Sequence, residues 1–532
     1  MEKLINTSNN FEQFINRHFK ISIAFFAIGL FFGIVYSLNL LGFIIDSETL
    51  NPVNMRAIHI SLMLYGFVPL MLSYLPFLLI NKEAGISNEG LRYLNLYTLI
   101  WYIFLVFMVM SLLLGKNRGL AFYDFAYELN FLLAFAGLFY ILALYKFIKL
   151  YTVLPRKNLP MWIKVCLRVV TIAPFTLLIL MNPTIGQVES TISGPHGDNT
   201  LGMSLALIPI YYLIIKLLNE SEFKARWNIL WIIPTIFYFS SVLYRIFIGH
   251  LSYNQEWFLQ YLTLLYVPLL YRWYKDSNIS DVAKKALLVS ILAFLFVDVE
   301  GNILFIPEIR WVFHRNDLIV AHAHVAMGIG VFFMVISMFI NHIKELHKNI
   351  FLKIYLIGIL GIFTALSISG FTQVGFNLLE THTLWIFRSL FGVVAFSFIF
   401  AFIKINTSYS KLRLYNLIGI LSDGIGGVIL ILLASFLYPI LGFSFSGVYE
   451  YVVFTFVSTT GIIHYLALKN ESYEQLLTNL SVIIRVFASS MFFALYSSSK
   501  LGIEALAICL FDLSFVFIYL IFIQKKEFLC KD

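Results

Sequence analysis

Long apolar runs broken by short polar stretches recur from residue 21 to residue 523. Most are near 20 residues, the length at which a helix crosses roughly 30 Å of hydrocarbon. They predict sixteen membrane-spanning helices: 21–45, 53–81, 91–114, 126–150, 160–181, 198–217, 227–249, 257–273, 284–306, 318–341, 352–375, 384–404, 412–439, 447–468, 476–498 and 502–523. The eighth is short. The stretches between runs have loop length, with no soluble domain, internal repeat or low-complexity tract among them. The expected fold class is therefore an all-α polytopic membrane protein, and an even count of spans puts both termini on one side.

Composition agrees with the pattern. Hydrophobic residues make up 60% of the 532 and charged residues 12%, against roughly a quarter charged in soluble domains. The net charge of +8 is therefore no sign of nucleic-acid binding; its distribution is the informative part. Lys3, Arg17 and Lys20 precede the first span. Loops after even-numbered spans carry Lys146, Lys149, Arg156, Lys157 and Lys164, or Arg272, Lys275, Lys284 and Lys285, and the C-terminus adds Lys525, Lys526 and Lys531. Only Lys116, Arg118, Arg310, Arg315 and Lys500 fall in loops on the other side, while Arg56, Arg168, Arg245, Arg388 and Arg485 lie within spans or at their edges. The positive-inside rule then predicts a multi-pass protein of a bacterial cytoplasmic membrane with both termini cytoplasmic. The first run lacks a small-residue cleavage site behind it and reads as a retained span. Cys166, Cys509 and Cys530 are far apart, so no disulfide framework, zinc knuckle or CxxCH attachment for c-type haem is expected.

The eleven histidines sort by depth. His18, His342 and His347 stand beside charged residues in cytoplasmic segments and are expected to be solvated. His464, late in the fourteenth span, reads as a satisfied buried histidine. His59, His196, His250, His314, His322, His324 and His382 all fall in the outer leaflet or at its surface, at 1.5 Å of rise per residue. Scattered structural histidines have no reason to share a depth. Ionisable groups at membrane depth mark function, and imidazole is the commonest ligand of metals and of haem iron. His322 and His324, two residues apart on a helix, point about 200° apart. They cannot chelate one ion, but each can serve a separate centre. The competing reading is a polar pair with each member facing a neighbouring helix; His59 at the same depth favours ligation.

These residues resemble a known pattern. His314-Arg-Asn-Asp-Leu-Ile-Val-Ala-His322-Ala-His324 resembles the H-x7-H-x-H segment on the tenth helix of haem–copper oxidase catalytic subunits and their nitric oxide reductase relatives. Met55-Arg56-Ala-Ile-His59-Ile-Ser-Leu-Met-Leu-Tyr-Gly-Phe resembles the second helix of that family, and Thr-His382-Thr-Leu-Trp-Ile-Phe-Arg388-Ser-Leu-Phe-Gly the twelfth helix of cbb3-type oxidases. The resemblance implies a twelve-helix haem-binding core over 21–405, a cytoplasmic segment 1–20, additional spans over 406–524 and a cytoplasmic tail 525–532. It implies that His59 and His324 are the axial ligands of a low-spin haem, and that His322 ligates a high-spin haem where substrate is reduced. It adds His314 and His382 to the cofactor-binding set and gives Arg56 and Arg388, as buried cations, to haem propionates. The b-type haem is expected because it needs no covalent attachment.

The second metal, copper or another, is where the sequence departs from the family. The chain has no His-His pair. In Tyr244-Arg-Ile-Phe-Ile-Gly-His250-Leu-Ser-Tyr253 either Leu251 or Gly249 replaces a ligand, with Tyr244 at the spacing of a redox-active tyrosine. In Gly194-Pro-His196-Gly-Asp198-Asn199-Thr-Leu-Gly202, Asp198 takes the ligand position and His196 lies two residues earlier. Asp298 and Glu300 are candidate proton-pathway acids on span nine, Glu300 first; Glu189 reads as exposed. Three readings follow: an oxygen-reducing respiratory terminal reductase fed by cytochrome c, quinol or another subunit; a nitric oxide reductase-like enzyme; or a haem-bearing electron carrier or gas sensor without turnover. The expected partners are membrane lipid, an electron donor, and oxygen or nitric oxide.

Overall fold

Every predicted span that the structure describes is helical. The computed structural model describes all residues except 1, 43–50, 86, 120–123, 154–196, 221–222, 224, 227–228, 305, 314–315, 344–345, 347–349, 377, 399–410, 441–444, 499, 502 and 521–532. Span 160–181 thus lies outside the described residues. Among those described there is no strand. The chain divides into two compact units, Met1–Ala401 and Phe402–Asp532.

The first unit runs α1 (Glu2–Leu40), α2 (Pro52–Tyr65), α3 (Val68–Ser73), α4 (Leu75–Ala84), α5 (Asn88–Leu113), α6 (Asn130–Val153), α7 (Gly197–Leu218) and α8 (Ile229–Phe247). It continues with α9 (Tyr253–Leu262), α10 (Tyr266–Asp276), α11 (Asp281–Leu304), α12 (Pro307–Phe313), α13 (Asp317–Ala323), α14 (Phe332–Phe339), α15 (Ile350–Phe371) and α16 (Thr381–Phe396). The second unit holds α17 (Lys411–Gly419), α18 (Gly426–Ile440), α19 (Val448–Lys469), α20 (Glu474–Ser497) and α21 (Ile503–Ile518). Ten helical runs among the described residues are long and apolar enough to cross a membrane, and four shorter apolar helices accompany them. The protein is a multi-pass membrane protein. The short eighth span is helical but parted by a 3-10 turn, Thr263–Leu265, into α9 and α10.

Local chemistry sets the breaks. Asn51 caps α2 by accepting from the Asn54 amide at 2.8 Å, with Pro52 in the first turn. Pro69 has no amide hydrogen to give the Tyr65 carbonyl, and the run parts there into α2 and α3. Trp101 Nε1 donates to that carbonyl at 2.9 Å, and Ser22 Oγ to the Gly66 carbonyl at 2.5 Å. A break inside hydrocarbon is tolerated when neighbouring side chains satisfy the freed groups.

A second break matters more. Between α13 and α14 the helix widens into a π-helical stretch, His324–Val331. Tyr355 of α15 donates to the Gly328 carbonyl at 2.9 Å, and Ser290 of α11 donates to the Gly330 carbonyl. Phe26, Phe67, Phe332, Tyr355 and Phe398 pack around this stretch, Phe332 and Tyr355 with centroids 4.3 Å apart. Such widened turns recur at functional sites.

Helices α15 and α16 pack along their length through Gly358. A Cβ there would lie 2.5 Å from the Ala395 nitrogen and 2.7 Å from its Cα. Gly358→Ala is expected to destabilise the protein by about 1–3 kcal/mol by overpacking, read as a lower unfolding temperature in detergent. Gly392→Ala, whose Cβ would meet Ile34 at an ordinary 3.6 Å, should unfold no lower than the unaltered protein.

Candidate haem site

His59 and His324 come together. Their rings face one another with centroids 6.4 Å apart and planes 24° from parallel. His59 Nδ1 lies 2.8 Å from the Gly29 carbonyl oxygen, and His324 Nδ1 lies 2.7 Å from that of Val320. A carbonyl only accepts, so each Nδ1 carries the proton and each Nε2 keeps its lone pair. This is how a second group prepares imidazole to ligate a metal. At a metal–imidazole bond of about 2 Å on each side, two rings sharing one metal ion end-on have centroids roughly 6 Å apart, a separation close to that of this pair.

The geometry of α1 makes this possible. Gly33 lies so close to His59 that a Cβ would be 2.6 Å from Nδ1 and 2.8 Å from Cε1. Gly29, one turn earlier, supplies the accepting carbonyl. The Gly-x-x-x-Gly spacing that lets membrane helices approach was the available sequence signal for both residues, and the histidine pattern passes over it.

Arg388 on α16 is half-buried. Its Nε donates to Ser37 Oγ at 2.9 Å, Ser37 meets Ser389 at 2.6 Å, and the guanidinium lies 5.2 Å over the Trp385 ring. Its Nη2 is buried without a hydrogen-bond partner, and the group acts electrostatically on His324. A propionate fits that orphaned donor. Asp317 fixes the start of α13: its Oδ2 accepts from Ser369 at 2.6 Å, Gln373 at 2.9 Å and Trp385 at 2.8 Å. Asn316 caps α13 through the Leu318 amide at 2.9 Å and donates to the Gly370 carbonyl at 3.0 Å. The helix that carries both histidines is thus tied to α15 and α16.

His322 faces the other way, toward α11. Its Nδ1 lies 3.1 Å from Glu300 Oε2, and a Cβ on Gly301 would meet its Cε1 at 3.4 Å. Glu300 therefore holds the orientation of the His322 ring. Asp298 is buried and bonded to Tyr266.

Other expectations change. Arg56, expected to be buried, is exposed, because the buried stripe of α2 runs through Asn54, Ile58, Ser61 and Tyr65. His18, expected to be solvated, is 6% exposed and lies 2.6 Å from the Tyr102 hydroxyl and 3.1 Å from Arg17 Nη2. The cause is that α1 begins far ahead of its predicted span. His250 and His382 are exposed at helix ends, and Tyr244 is half-buried on α8. His196, His314, His347 and Glu189 lie outside the described residues, as does the side chain of Asp198. Among the described residues no three His, Cys, Asp or Glu side chains come close enough to hold a metal ion; of the residues expected at a second metal, they include only His250 with its side chain.

No family model and no curated protein matches the sequence. The fold does match solved structures. One, a haem–copper terminal oxidase dimer solved by cryo-EM, aligns with a TM-score of 0.50 at 10% identity, covering 74% of this chain and 83% of that one. The chain shares the fold of that oxidase.

For a haem held between His59 and His324, Gly33→Ala pushes the His59 ring off its carbonyl. Retention is expected to fall on the order of tenfold, measured as haem per protein after purification.

Proposed function

We propose that this chain is a divergent oxidoreductase of the haem–copper terminal-oxidase kind. It would take electrons from cytochrome c, a quinol or another subunit and deliver them to oxygen, in a bacterial cytoplasmic membrane with both termini cytoplasmic. Residues 21–405 would form the haem core, with 406–524 as additional helices. The observation that carries the reading is the His59–His324 pair, both rings in the ligating tautomer and facing each other beside the unpartnered Nη2 of Arg388. The shared fold supports it.

The residues divide the work. His59 and His324 would hold a low-spin b-type haem suited to electron transfer. His322, oriented by Glu300, would hold a second haem, which would supply the reduction of a diatomic molecule. Haem iron supplies the redox chemistry when bound. Arg388 would neutralise a propionate. No step is assigned to a second metal.

A second reading, a nitric oxide reductase-like enzyme or a haem-bearing carrier without turnover, is favoured by the missing His-His pair at His250. Oxygen uptake by purified protein separates the three: steady uptake supports the oxidase, consumption of nitric oxide alone the reductase, and neither the carrier.

The optical spectrum tests the haem assignment. A Soret band is expected, with His59→Ala and His324→Ala each abolishing the low-spin features and His322→Ala sparing them. A purified protein without a Soret band ends the proposal.

A further inference from the structure

The C-terminal unit holds a charged cluster that the haem reading leaves unused. Asp423 sits in a π-helical turn, Ile420–Ile425, between α17 and α18. Arg485 of α20 reaches it and Asp512 of α21 together: Nη2 lies 2.5 Å from Asp423 Oδ2, and Nη1 lies 2.5 Å from Asp512 Oδ1. The guanidinium also lies 3.9 Å over the Phe515 ring. His464 of α19 completes the group, with Nε2 3.8 Å from Asp423 Oδ2. Side-chain exposure is 0% for His464, 3% for Asp423 and Arg485, and 15% for Asp512.

His464 is held for this purpose. Its Nδ1 bonds Asn416 Oδ1 at 2.8 Å, and Asn416 Nδ2 bonds Thr478 at 2.8 Å. An amide oxygen only accepts, so Nδ1 carries the proton and Nε2 presents a lone pair. That nitrogen is buried with no hydrogen-bond partner, as is Nε of Arg485. The ring fits only because position 419 is glycine: a Cβ there would lie 2.5 Å from Nε2.

The charges do not cancel. Two carboxylates face one guanidinium, and among the described residues no second Lys or Arg is paired with either carboxylate. Tyr415 of α17 and Tyr519, which follows α21, are phenols, Cys509 of α21 is a thiol, and Glu474 of α20 adds an acid on the side of Arg413. Arg413 is itself paired with Glu471, and α18 carries no charged residue. An unbalanced charge at membrane depth is costly, and such residues mark proton relays.

We propose that Asp423, His464 and Asp512, gathered round Arg485, form a proton-binding site in the C-terminal unit that takes up one exchangeable proton per chain. The proton comes from water and adds to a carboxylate oxygen or to His464 Nε2; no other bond forms or breaks. Asp512, the most exposed member, is where the proton enters.

Infrared difference spectra of the full-length protein in lipid test this, recorded in H2O and D2O across the pH range in which it stays folded. A titrating carboxylic-acid or imidazole band worth one proton per chain is expected. Asp423→Asn and Asp512→Asn each leave one carboxylate against Arg485, so each should abolish it, while Cys509→Ser should keep it. Aspartate and histidine labelled with 13C identify the band in unaltered protein should the variants fail to fold. The proposal is overturned if labelled, unaltered protein shows no titrating aspartate or histidine band, or if the band persists in either asparagine variant.

Discussion

Hydrocarbon offers no water to a backbone group that has lost its partner. The first unit is organised around that constraint. At Pro69 the freed Tyr65 carbonyl is taken by Trp101, and at the π-helical stretch Tyr355 and Ser290 take the carbonyls of Gly328 and Gly330. Two histidines also bond backbone carbonyls. His59 bonds a carbonyl of α1, and His324 bonds one in its own preceding turn. Each carbonyl only accepts, so each Nδ1 carries the proton and each Nε2 keeps a lone pair.

The widened helix at His324–Val331 follows directly after Ala323, so His322 and His324 sit at its boundary. One ring is directed at Glu300 on α11, the other at His59 on α2. Each is anchored by a different chemistry, a carboxylate for His322 and a backbone carbonyl for His324. A carboxylate partner makes an imidazole more basic than a carbonyl partner does, so the two rings are electronically distinct. Asp317 holds the helix in place through three donors, Ser369 of α15, Gln373 of the π-helical turn after it and Trp385 of α16.

The C-terminal unit meets the low dielectric differently. Its interior keeps a guanidinium between two aspartates, with an imidazole lone pair beside them. There the unmet requirement is charge rather than hydrogen bonding, and a proton is the smallest group that meets it.

Much of this was legible in the residues. Run length alone located the helices, because crossing hydrocarbon is a local requirement. The spacing of His322 and His324 dictated opposite faces, because helical rotation per residue is constant. The depth shared with His59 pointed to ligation. What the pattern could not reach depends on which helices touch. Gly29 and Gly33 matter only because α1 passes His59, and Ser37 meets Ser389 across 352 residues of chain. Arg56 and Arg388 look alike as buried cations in sequence, yet one is exposed and the other holds an unpartnered donor beside His324. His18 reads as solvated until α1 is seen to extend under it. Periodicity assigns a residue to a face of its own helix; only tertiary packing decides what that face meets, since the partner is brought in by elements far away in the chain.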